Sequence, residues 1–271
     1  MKNFFKRSFV DSSGRSKTKR RIEIKLNFYS TNKNYREHRL KIFEEIKNKK
    51  NFLNFNSNEE EEKKEKKKIF ITLPNGKIIE GISEKTKPID IIPENIINSI
   101  IICREKETNS LIELFSTFKN SCTLEYIDFE NEIGKKIFWH SSSHLLGNVI
   151  ELYYENSFLD DGPSIKNGFF YDFKNLKIKP SLNDFENLKN LLNFNEKFEK
   201  FEILKEDAEK MFNYNHFKLK IIDSISKKNE KISIYKTGDF IDLCSGPHIY
   251  NTKSIKSFHF LNCNSINDEG K

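Results

Sequence analysis

The stretch NEIGKKIFWHSSSHLLGNVIELYYE (Asn131–Glu155) decides the fold of the second half of this chain. Its apolar and small residues recur every three or four positions: Phe138, Ser142, Leu145, Val149 and Leu152. That spacing predicts one amphipathic helix. On such a helix His140 and His144 stand four residues apart, so their imidazoles project from the same face, one turn apart.

A second pair with the same spacing, Cys244 and His248, follows one hundred residues after His144. Because Gly246 and Pro247 lie between its members, the sequence predicts a turn here rather than a helix. If the two pairs meet, three imidazoles and one thiol could hold a metal ion tetrahedrally, or they could form a protic pocket for hydrolysis.

Each pair on its own is unspecific. A His-x-x-x-His pair on a helix is more often a solvated or core pair than a site, and Cys-x-x-x-His is similarly unspecific. Neither pair is followed by Cys-x-x-Cys, which disfavours a structural zinc finger. The His-Glu-x-x-His protease signature is also missing, because Ser141 follows His140 where that motif requires glutamate.

After this helix, strands and helices do not alternate strictly. Asp160–Phe173 (DDGPSIKNGFFYDF) predicts a loop and a strand, and its aromatic run Phe169–Tyr171 is more typical of a core than of a base-stacking platform. Asn183–Asn215 predicts two amphipathic helices around a short strand, while Phe217–Asp223 and Lys231–Lys236 predict strands. This order favours the α+β class.

Ahead of the helix, Lys68–Ile82 (KIFITLPNGKIIEGI) places Asn75-Gly76 between two β-prone runs, which is a strong hairpin signal. A short helix is predicted to begin near Pro88. Further strands are predicted at Ser99–Cys103, Leu111–Phe115 and Cys122–Ile127. Together these elements predict a small β-grasp, ubiquitin-like domain.

The first part of the chain is polar and charged. Asn34–Lys50 predicts a solvated helix with a thin apolar stripe of Leu40, Ile42 and Phe43, and the charged run Glu59–Lys68 predicts a linker. The predicted division is a charged, partly helical extension (1–68), a β-grasp domain (69–129) and a larger α+β domain (130–271).

Composition limits the classes of function. The formal net charge is +7, and a positive field favours a polyanionic partner such as RNA. Four scattered cysteines do not form a disulfide scaffold, and no apolar run approaches the ~18 residues that cross a bilayer. We therefore expect a soluble, cytoplasmic protein without membrane contact. The basic first 21 residues are also compatible with organellar targeting or a disordered extension.

Several stretches together resemble threonyl-tRNA synthetases. Three resemble the editing domain of that family: Trp139–Gly147 (WHSSSHLLG), Gly162–Phe173 (GPSIKNGFFYDF) and Ile241–His248 (IDLCSGPH). Ile71–Lys77 (ITLPNGK) resembles the start of its TGS domain, and Met211–Ile222 (MFNYNHFKLKII) resembles the eukaryotic stretch between the two halves of the editing site. Alanyl-tRNA editing domains share both pairs, but a TGS domain directly ahead favours the threonyl branch.

The resemblance implies an editing cleft lined by His140, His144, Lys218, Asp242, Cys244 and His248. Its substrate would be tRNA(Thr) mischarged with serine. We expect Lys218 to stabilise charge and to position the terminal adenosine of the tRNA. His140 and Cys244 would position water or transfer protons, while Asp242 and His144 would recognise the serine amine and hydroxyl. On pattern alone, Lys218 indicates surface charge and Asp242 a solvent-facing strand residue.

The resemblance leaves the cofactor open. Alanyl editing domains use the same four side chains as metal ligands, so zinc could occupy His140, His144, Cys244 and His248, although the threonyl branch does not clearly require a metal. The ATP and zinc of the family's aminoacylation core are not expected on this chain, because no class II signature precedes Lys271.

Three interpretations follow from these features. The chain is the front part of a threonine-tRNA ligase whose aminoacylation core acts in cis or in trans, a freestanding trans-editing deacylase, or a non-catalytic tRNA-binding module. Full-length members of the family are usually homodimers. Ser245 stands where the family commonly has arginine, and losing a guanidinium there could weaken a phosphate or structural contact.

Overall fold

The computed structural model describes residues 32–61, 67–154, 156–174 and 194–256, together with His259 and Leu261. Within these ranges, helices mix with several separate sheets, as the α+β prediction requires. The basic first 21 residues and the helix predicted at the start of Asn183–Asn215 lie outside the described residues. No helix in the described part is both long and apolar enough to span a bilayer.

The helices in chain order are α1 (Asn32–Glu61), α2 (Pro88–Ile91), α3 (Glu94–Ile97), α4 (Glu132–Tyr153), α5 (Lys205–Met211) and α6 (His216–Ser226). The strands are β1 (Lys68–Thr72), β2 (Ile78–Ile82), β3 (Ile100–Glu105), β4 (Leu111–Ile112), β5 (Cys122–Asp128), β6 (Phe158–Leu159), β7 (Ser164–Ile165), β8 (Gly168–Phe169), β9 (Phe173–Lys174), β10 (Phe198–Leu204), β11 (Lys231–Thr237) and β12 (Phe240–Leu243).

The first sheet has five strands in the order β2-β1-β5-β3-β4. Strands β1 and β2 form the predicted hairpin, in which Gly76 has a φ of +82° and the Asn75 side chain accepts a hydrogen bond from the Lys77 amide. Strands β1 and β5 run parallel, whereas the other neighbours in this sheet are antiparallel. The predicted helix at Pro88 is confirmed as α2.

Helix α4 is the long helix predicted from the opening stretch. The Asn131 side chain accepts the Ile133 amide hydrogen and caps its start. The helix is less amphipathic than predicted, because every residue from Ser141 to Gly147 is buried. One side packs against β3 and β5, while Leu145 and Val149 share a core with Phe198, Phe240 and Ile249 from the last part of the chain.

The second sheet is antiparallel, in the order β10-β11-β12. The strand predicted at Lys231–Lys236 is confirmed as part of β11. The strand predicted at Phe217–Asp223 is wrong, because these residues belong to α6. The Asn215 side chain accepts amide hydrogens from the next turn and caps this helix, and Leu219, Ile222 and Ile225 reach the core at helical spacing.

Helix α1 packs into the core beneath this second sheet. Its residues Phe43 and Ile46 are 2% and 9% exposed and lie in one cluster with Met211, Phe212 and Leu243. The prediction of a solvated helix is therefore wrong, since the apolar stripe is buried against α5 and β12. The helix also continues through Glu61, three residues into the predicted linker.

A buried ion pair ties α1 to α4. Arg39 and Glu151 are 2% and 1% exposed, and the Arg39 guanidinium donates to both Glu151 oxygens, at 2.6 Å to Oε1. It also donates to the Tyr214 hydroxyl. Burial by itself would lower the pKa of Arg39, but the Glu151 carboxylate outweighs it and raises that pKa. The guanidinium therefore stays charged, and α1 is held beside the histidine-bearing helix.

Replacing Arg39→Ala should destabilise the chain by about 3–5 kcal/mol, because it leaves the buried Glu151 carboxylate without its two-pronged partner. Urea unfolding followed by circular dichroism measures this difference. Lys68→Ala is the control, since it breaks the exposed ion pair with Glu80 and should produce no resolvable change. Equal losses in the two variants would show that the Arg39 pair does not hold α1 in place.

Candidate functional site

The two predicted pairs meet. The side-chain donor atoms of His140, His144, Cys244 and His248 all lie within 4.8 Å of one another, and we call these four residues the His/Cys cluster. Cys244 Sγ lies 3.3 Å from His140 Nε2 and 3.2 Å from His248 Nε2. Two pairs far apart in the chain therefore form one site, as the sequence predicts.

Two elements position the cluster. Helix α4 carries both of its histidines on one side, as their spacing predicts. The other two members lie in the irregular segment Cys244–His248 that follows β12, and this segment is not helical, as predicted. Gly246 has a φ of +70°, and its amide donates to Cys244 Sγ at 3.2 Å. The short glycine-containing segment thereby returns His248 towards the thiol four residues earlier.

Ser141 joins the two elements. Its hydroxyl donates to the Ile137 carbonyl within α4 and accepts the Ile249 amide hydrogen at 3.1 Å. His248 Nδ1 lies 3.1 Å from the same oxygen. With the serine hydrogen given to Ile137, His248 Nδ1 must donate, which leaves His248 Nε2 unprotonated beside the Cys244 thiol. Sequence reasoning used Ser141 only to exclude a protease motif and did not predict this role.

A buried ion pair borders the cluster. Lys218 Nζ lies 2.7 Å from Asp242 Oδ1, and the Lys218 and Asp242 residues are 2% and 3% exposed. The Tyr171 hydroxyl donates to Asp242 Oδ2 and lies 3.3 Å from Lys218 Nζ. On pattern alone, both charged residues indicated the surface. The structure instead buries them together, so the expectation from local sequence is wrong for both.

Tyr171 lies in the buried core, as predicted, and its hydroxyl also reaches the Lys218–Asp242 pair. Gly147 and Gly162 make room for the ring, since a Cβ on either would lie 2.6 or 2.5 Å from a Tyr171 ring carbon. No local sequence pattern links these two glycines to the Tyr171 ring, because both precede it in the chain and meet it only in the fold. The neighbouring Phe170 is exposed.

Comparison with known proteins shows which sequences this chain resembles. A family model described as the threonyl and alanyl tRNA synthetase second additional domain matches residues 232–270. Threonine–tRNA ligase 1, cytoplasmic, of Homo sapiens is 36% identical over 217 residues. Threonine–tRNA ligase, cytoplasmic, of Caenorhabditis elegans is 36% identical over 212 residues. Probable threonine–tRNA ligase 1, cytoplasmic, of Dictyostelium discoideum is 34% identical over 197 residues.

The chain is similar to threonyl-tRNA synthetases, and the matches support an N-terminal editing region of such an enzyme. The similarity covers 76%, 75% and 70% of this chain in the three comparisons, but only 29%, 28% and 27% of the relatives' own lengths. The chain thus spans less than a third of the length of the curated relatives it matches.

Burial makes the His/Cys cluster electrically neutral. It lowers the pKa of His140, lowers that of His144 to about 3, and lowers that of His248 well below its usual range. Burial also raises the pKa of the Cys244 thiol to about 12. At neutral pH the cluster therefore holds three uncharged imidazoles and a thiol. Uncharged imidazoles retain a free nitrogen that can accept a proton or bind a metal.

The charged groups that border the His/Cys cluster are Lys218 and Asp242. Burial by itself would raise the pKa of Asp242, but Lys218, with His144 and the Tyr171 hydroxyl, lowers it below the usual range. The same surroundings raise the pKa of Tyr171 well above its usual value, because burial and Asp242 both oppose a phenolate. Asp242 is therefore a carboxylate at neutral pH, and Tyr171 remains a hydrogen-bond donor.

The donor set of the His/Cys cluster fits a metal ion. Ligands around tetrahedral zinc lie about 3.3–3.6 Å apart, on the usual Zn–N and Zn–S lengths. The two cysteine–histidine separations of 3.3 and 3.2 Å match that spacing, and the remaining separations stay within 4.8 Å. His144 Nδ1 is buried and has no hydrogen-bond partner among the described residues. The cluster could therefore hold a metal after a small contraction.

Acid should destabilise the metal-free chain through His144. Folded His144 resists protonation down to a pKa of about 3, whereas the unfolded chain takes up that proton near pH 6.5. The unfolded state thus binds more protons below pH 6.5, so the free energy of unfolding falls as the pH falls, by about 1.4 kcal/mol per pH unit for this residue. Asp242 opposes this shift, while burial, His140 and Lys218 produce it.

Urea unfolding between about pH 7 and 5, with a chelator present, measures that slope. His144→Gln removes the titrating group. The free energy of unfolding of this variant should therefore fall less steeply with pH, by the contribution of about one proton. His216→Gln is the control, because that histidine is exposed at the start of α6. If His144→Gln and the unchanged chain share one slope, His144 does not remain neutral in the folded state.

Proposed function

We propose that this chain is an ester hydrolase that removes serine wrongly attached to tRNA(Thr). The observation that carries the proposal is the His/Cys cluster beside the Lys218–Asp242 pair, in a chain related to threonyl-tRNA synthetases. The neutral groups of the cluster can move protons, and the ion pair supplies fixed charge next to them. Similarity to these synthetases supports tRNA as the partner.

Exposure suggests a division of labour within the site. His140 and Cys244 are half-buried, whereas His144, Lys218 and Asp242 are buried. We therefore assign water positioning and proton transfer to the two groups that solvent can reach. His140 Nε2 accepts a proton from a water molecule held near the thiol, because the imidazole is neutral at physiological pH.

The inner wall of the site would recognise the amino acid. Asp242 is ionised and can accept hydrogen bonds from the ammonium of an esterified serine. His144 Nδ1 lacks a partner among the described residues and can bond the serine hydroxyl. Lys218 keeps Asp242 charged through their 2.7 Å contact, and we assign its ammonium to the terminal adenosine and the developing oxyanion.

Discrimination by size explains why such a second site is useful. Threonine differs from serine by one methyl group, which a binding pocket discriminates by only about 1–3 kcal/mol. A separate hydrolytic site that admits serine and excludes the extra methyl multiplies that selectivity. The ring of Tyr171, held between Gly147 and Gly162, is a rigid wall that could provide the exclusion.

We further propose the domain division and context of the site. The five-stranded sheet, with parallel β1 and β5 and the helices α2 and α3 after the hairpin, supports a β-grasp TGS domain at 69–129. An editing domain at 130–271 and an extension at 1–68 complete the division. The aminoacylation core would act in cis or in trans, and the cytoplasmic relatives support a cytoplasmic location for this chain.

Incubating the purified chain with Ser-tRNA(Thr) and Thr-tRNA(Thr) tests the activity. We expect deacylation of the seryl ester at least about tenfold faster than that of the threonyl ester, because one methyl discriminates by about that factor. His140→Ala and Cys244→Ala should each slow seryl hydrolysis by about a hundredfold or more. His216→Ala, the exposed histidine near Lys218, should leave the rate unchanged.

Each rival function gives a different result in this assay. Binding of both tRNAs without hydrolysis would identify a non-catalytic RNA-binding module. Hydrolysis of both esters at one rate would refute selection by size. Full activity of the isolated chain on tRNA released by a separate synthetase would favour a trans-editing deacylase over a region that acts only in cis.

Zinc at the His/Cys cluster needs its own test. A bound zinc would convert the Cys244 thiol to a thiolate and polarise a ligand oxygen. We expect the residues alone to sustain catalysis, so the chelator-treated chain should keep its seryl deacylation rate. Zinc bound per chain, measured by mass spectrometry of the eluted metal, should fall in Cys244→Ala if the cluster holds it. Loss of activity on chelation and its recovery with zinc would instead make the metal essential.

A further inference from the structure

Glu113 connects the first sheet to the His/Cys cluster. It directly follows β4, and its residue is only 5% exposed. Its Oε1 atom accepts the His248 backbone amide hydrogen at 2.8 Å and the Tyr235 hydroxyl hydrogen at 2.9 Å. Its Oε2 atom accepts a hydrogen bond from Ser116 at 3.2 Å. A carboxylate from the five-stranded sheet thus binds the main chain of a cluster residue.

The hydrogen bond between Glu113 and the Tyr235 hydroxyl also acts on the Cys244–His248 segment. The Tyr235 ring lies 4.5 Å from the His248 ring in an edge arrangement. The Tyr235 hydroxyl also lies against Gly246, where a Cβ would come within 2.0 Å of that oxygen. Glu113 holds the hydroxyl in this place, and the hydroxyl in turn confines the turn that separates Cys244 from His248.

We propose that Glu113 is a positioning residue for the editing reaction, supplied by the first sheet rather than by the elements that carry the cluster. It fixes the main chain of His248 and, through Tyr235, the turn at Gly246, so that His248 Nε2 faces Cys244 Sγ at 3.2 Å. The part of this inference that concerns catalysis rests on the proposed hydrolase function. The part that concerns geometry stands without it.

The contact set distinguishes this role from ordinary packing. One oxygen receives two donors that both act on the Cys244–His248 segment, and neither donor lies in the sheet that carries Glu113. Glutamine can reproduce the pattern, because its carbonyl oxygen accepts both hydrogens and its amide group can donate to Ser116. Alanine removes the acceptor and leaves both donors unpaired. A purely structural carboxylate would affect stability without separating kcat from KM.

The test compares Glu113→Ala, Glu113→Gln and Tyr235→Phe in the full chain, with Glu125→Ala as the matched control. Glu125 is a partly exposed glutamate of the same sheet, and it pairs with Arg104 at 3.2 Å. We expect Glu113→Ala to lower kcat for Ser-tRNA(Thr) by about tenfold or more, the usual cost of losing a group that orients a site residue, with KM unchanged. Glu113→Gln should restore most of kcat, and Glu125→Ala should keep it.

Two measurements do not depend on catalysis. The His248 backbone amide proton should shift upfield in Glu113→Ala and remain near its original position in Glu113→Gln, as seen by NMR. The alkylation rate of Cys244 by iodoacetamide, with Cys244→Ser as the blank, should rise in Glu113→Ala and in Tyr235→Phe because the turn is loosened. These results can be read even if the unchanged chain hydrolyses nothing, which would refute the proposed function alone.

The positioning role is overturned by any of four results. One is wild-type kcat in a folded Glu113→Ala. Another is an unshifted His248 amide in that variant. The third covers a Glu113→Ala chain that does not fold: Tyr235→Phe would then show wild-type kcat and wild-type Cys244 alkylation. Loss of kcat in Glu113→Gln equal to that in Glu113→Ala would also contradict it, since the amide keeps the acceptor.

Discussion

The rest of the site depends on how closely the Cys244–His248 segment approaches helix α4. Ser141, Ser142 and Ser143 are all fully buried there, and small side chains let a second backbone come near a helix. Ser141 then accepts the Ile249 amide hydrogen and contacts His248 Nδ1. These hydrogen bonds fix the position of the Cys244–His248 segment along helix α4. They therefore also fix the distance between the imidazoles and the thiol.

This close approach buries polar and charged groups, and among the described residues the buried cations are paired with carboxylates. Unpaired buried charge is costly, so Lys218 neutralises Asp242 and Arg39 neutralises Glu151. The same burial keeps the cluster histidines uncharged and the thiol protonated. Burial disfavours the charged forms of these groups. It thereby sets the protonation states that the proposed hydrolysis requires.

The site is assembled from distant parts of the chain. Glu113 arrives from the first sheet, Tyr171 from the loop between β8 and β9, and Arg39 from helix α1 beside the second sheet. Helix α4 contacts each of these parts, because residues on all sides of this helix are buried. Elements that the sequence presents as an extension and a separate small domain are consequently in contact with the candidate site or with the helix that supports it.

Local sequence determined much of this protein. The hairpin at Asn75-Gly76, helix α4 with its two histidines, and the turn at Gly246-Pro247 all follow from nearest-neighbour geometry, and the family resemblance brought Lys218 and Asp242 into the site. Tertiary structure decided the remainder. FKLKII alternates apolar and polar residues as a strand does, but the Asn215 cap and the core contacts of Ile222 make it a helix. The roles of Tyr171, Ser141 and Glu113 depend on partners 71, 107 and 135 positions away, and no local pattern encodes such distances.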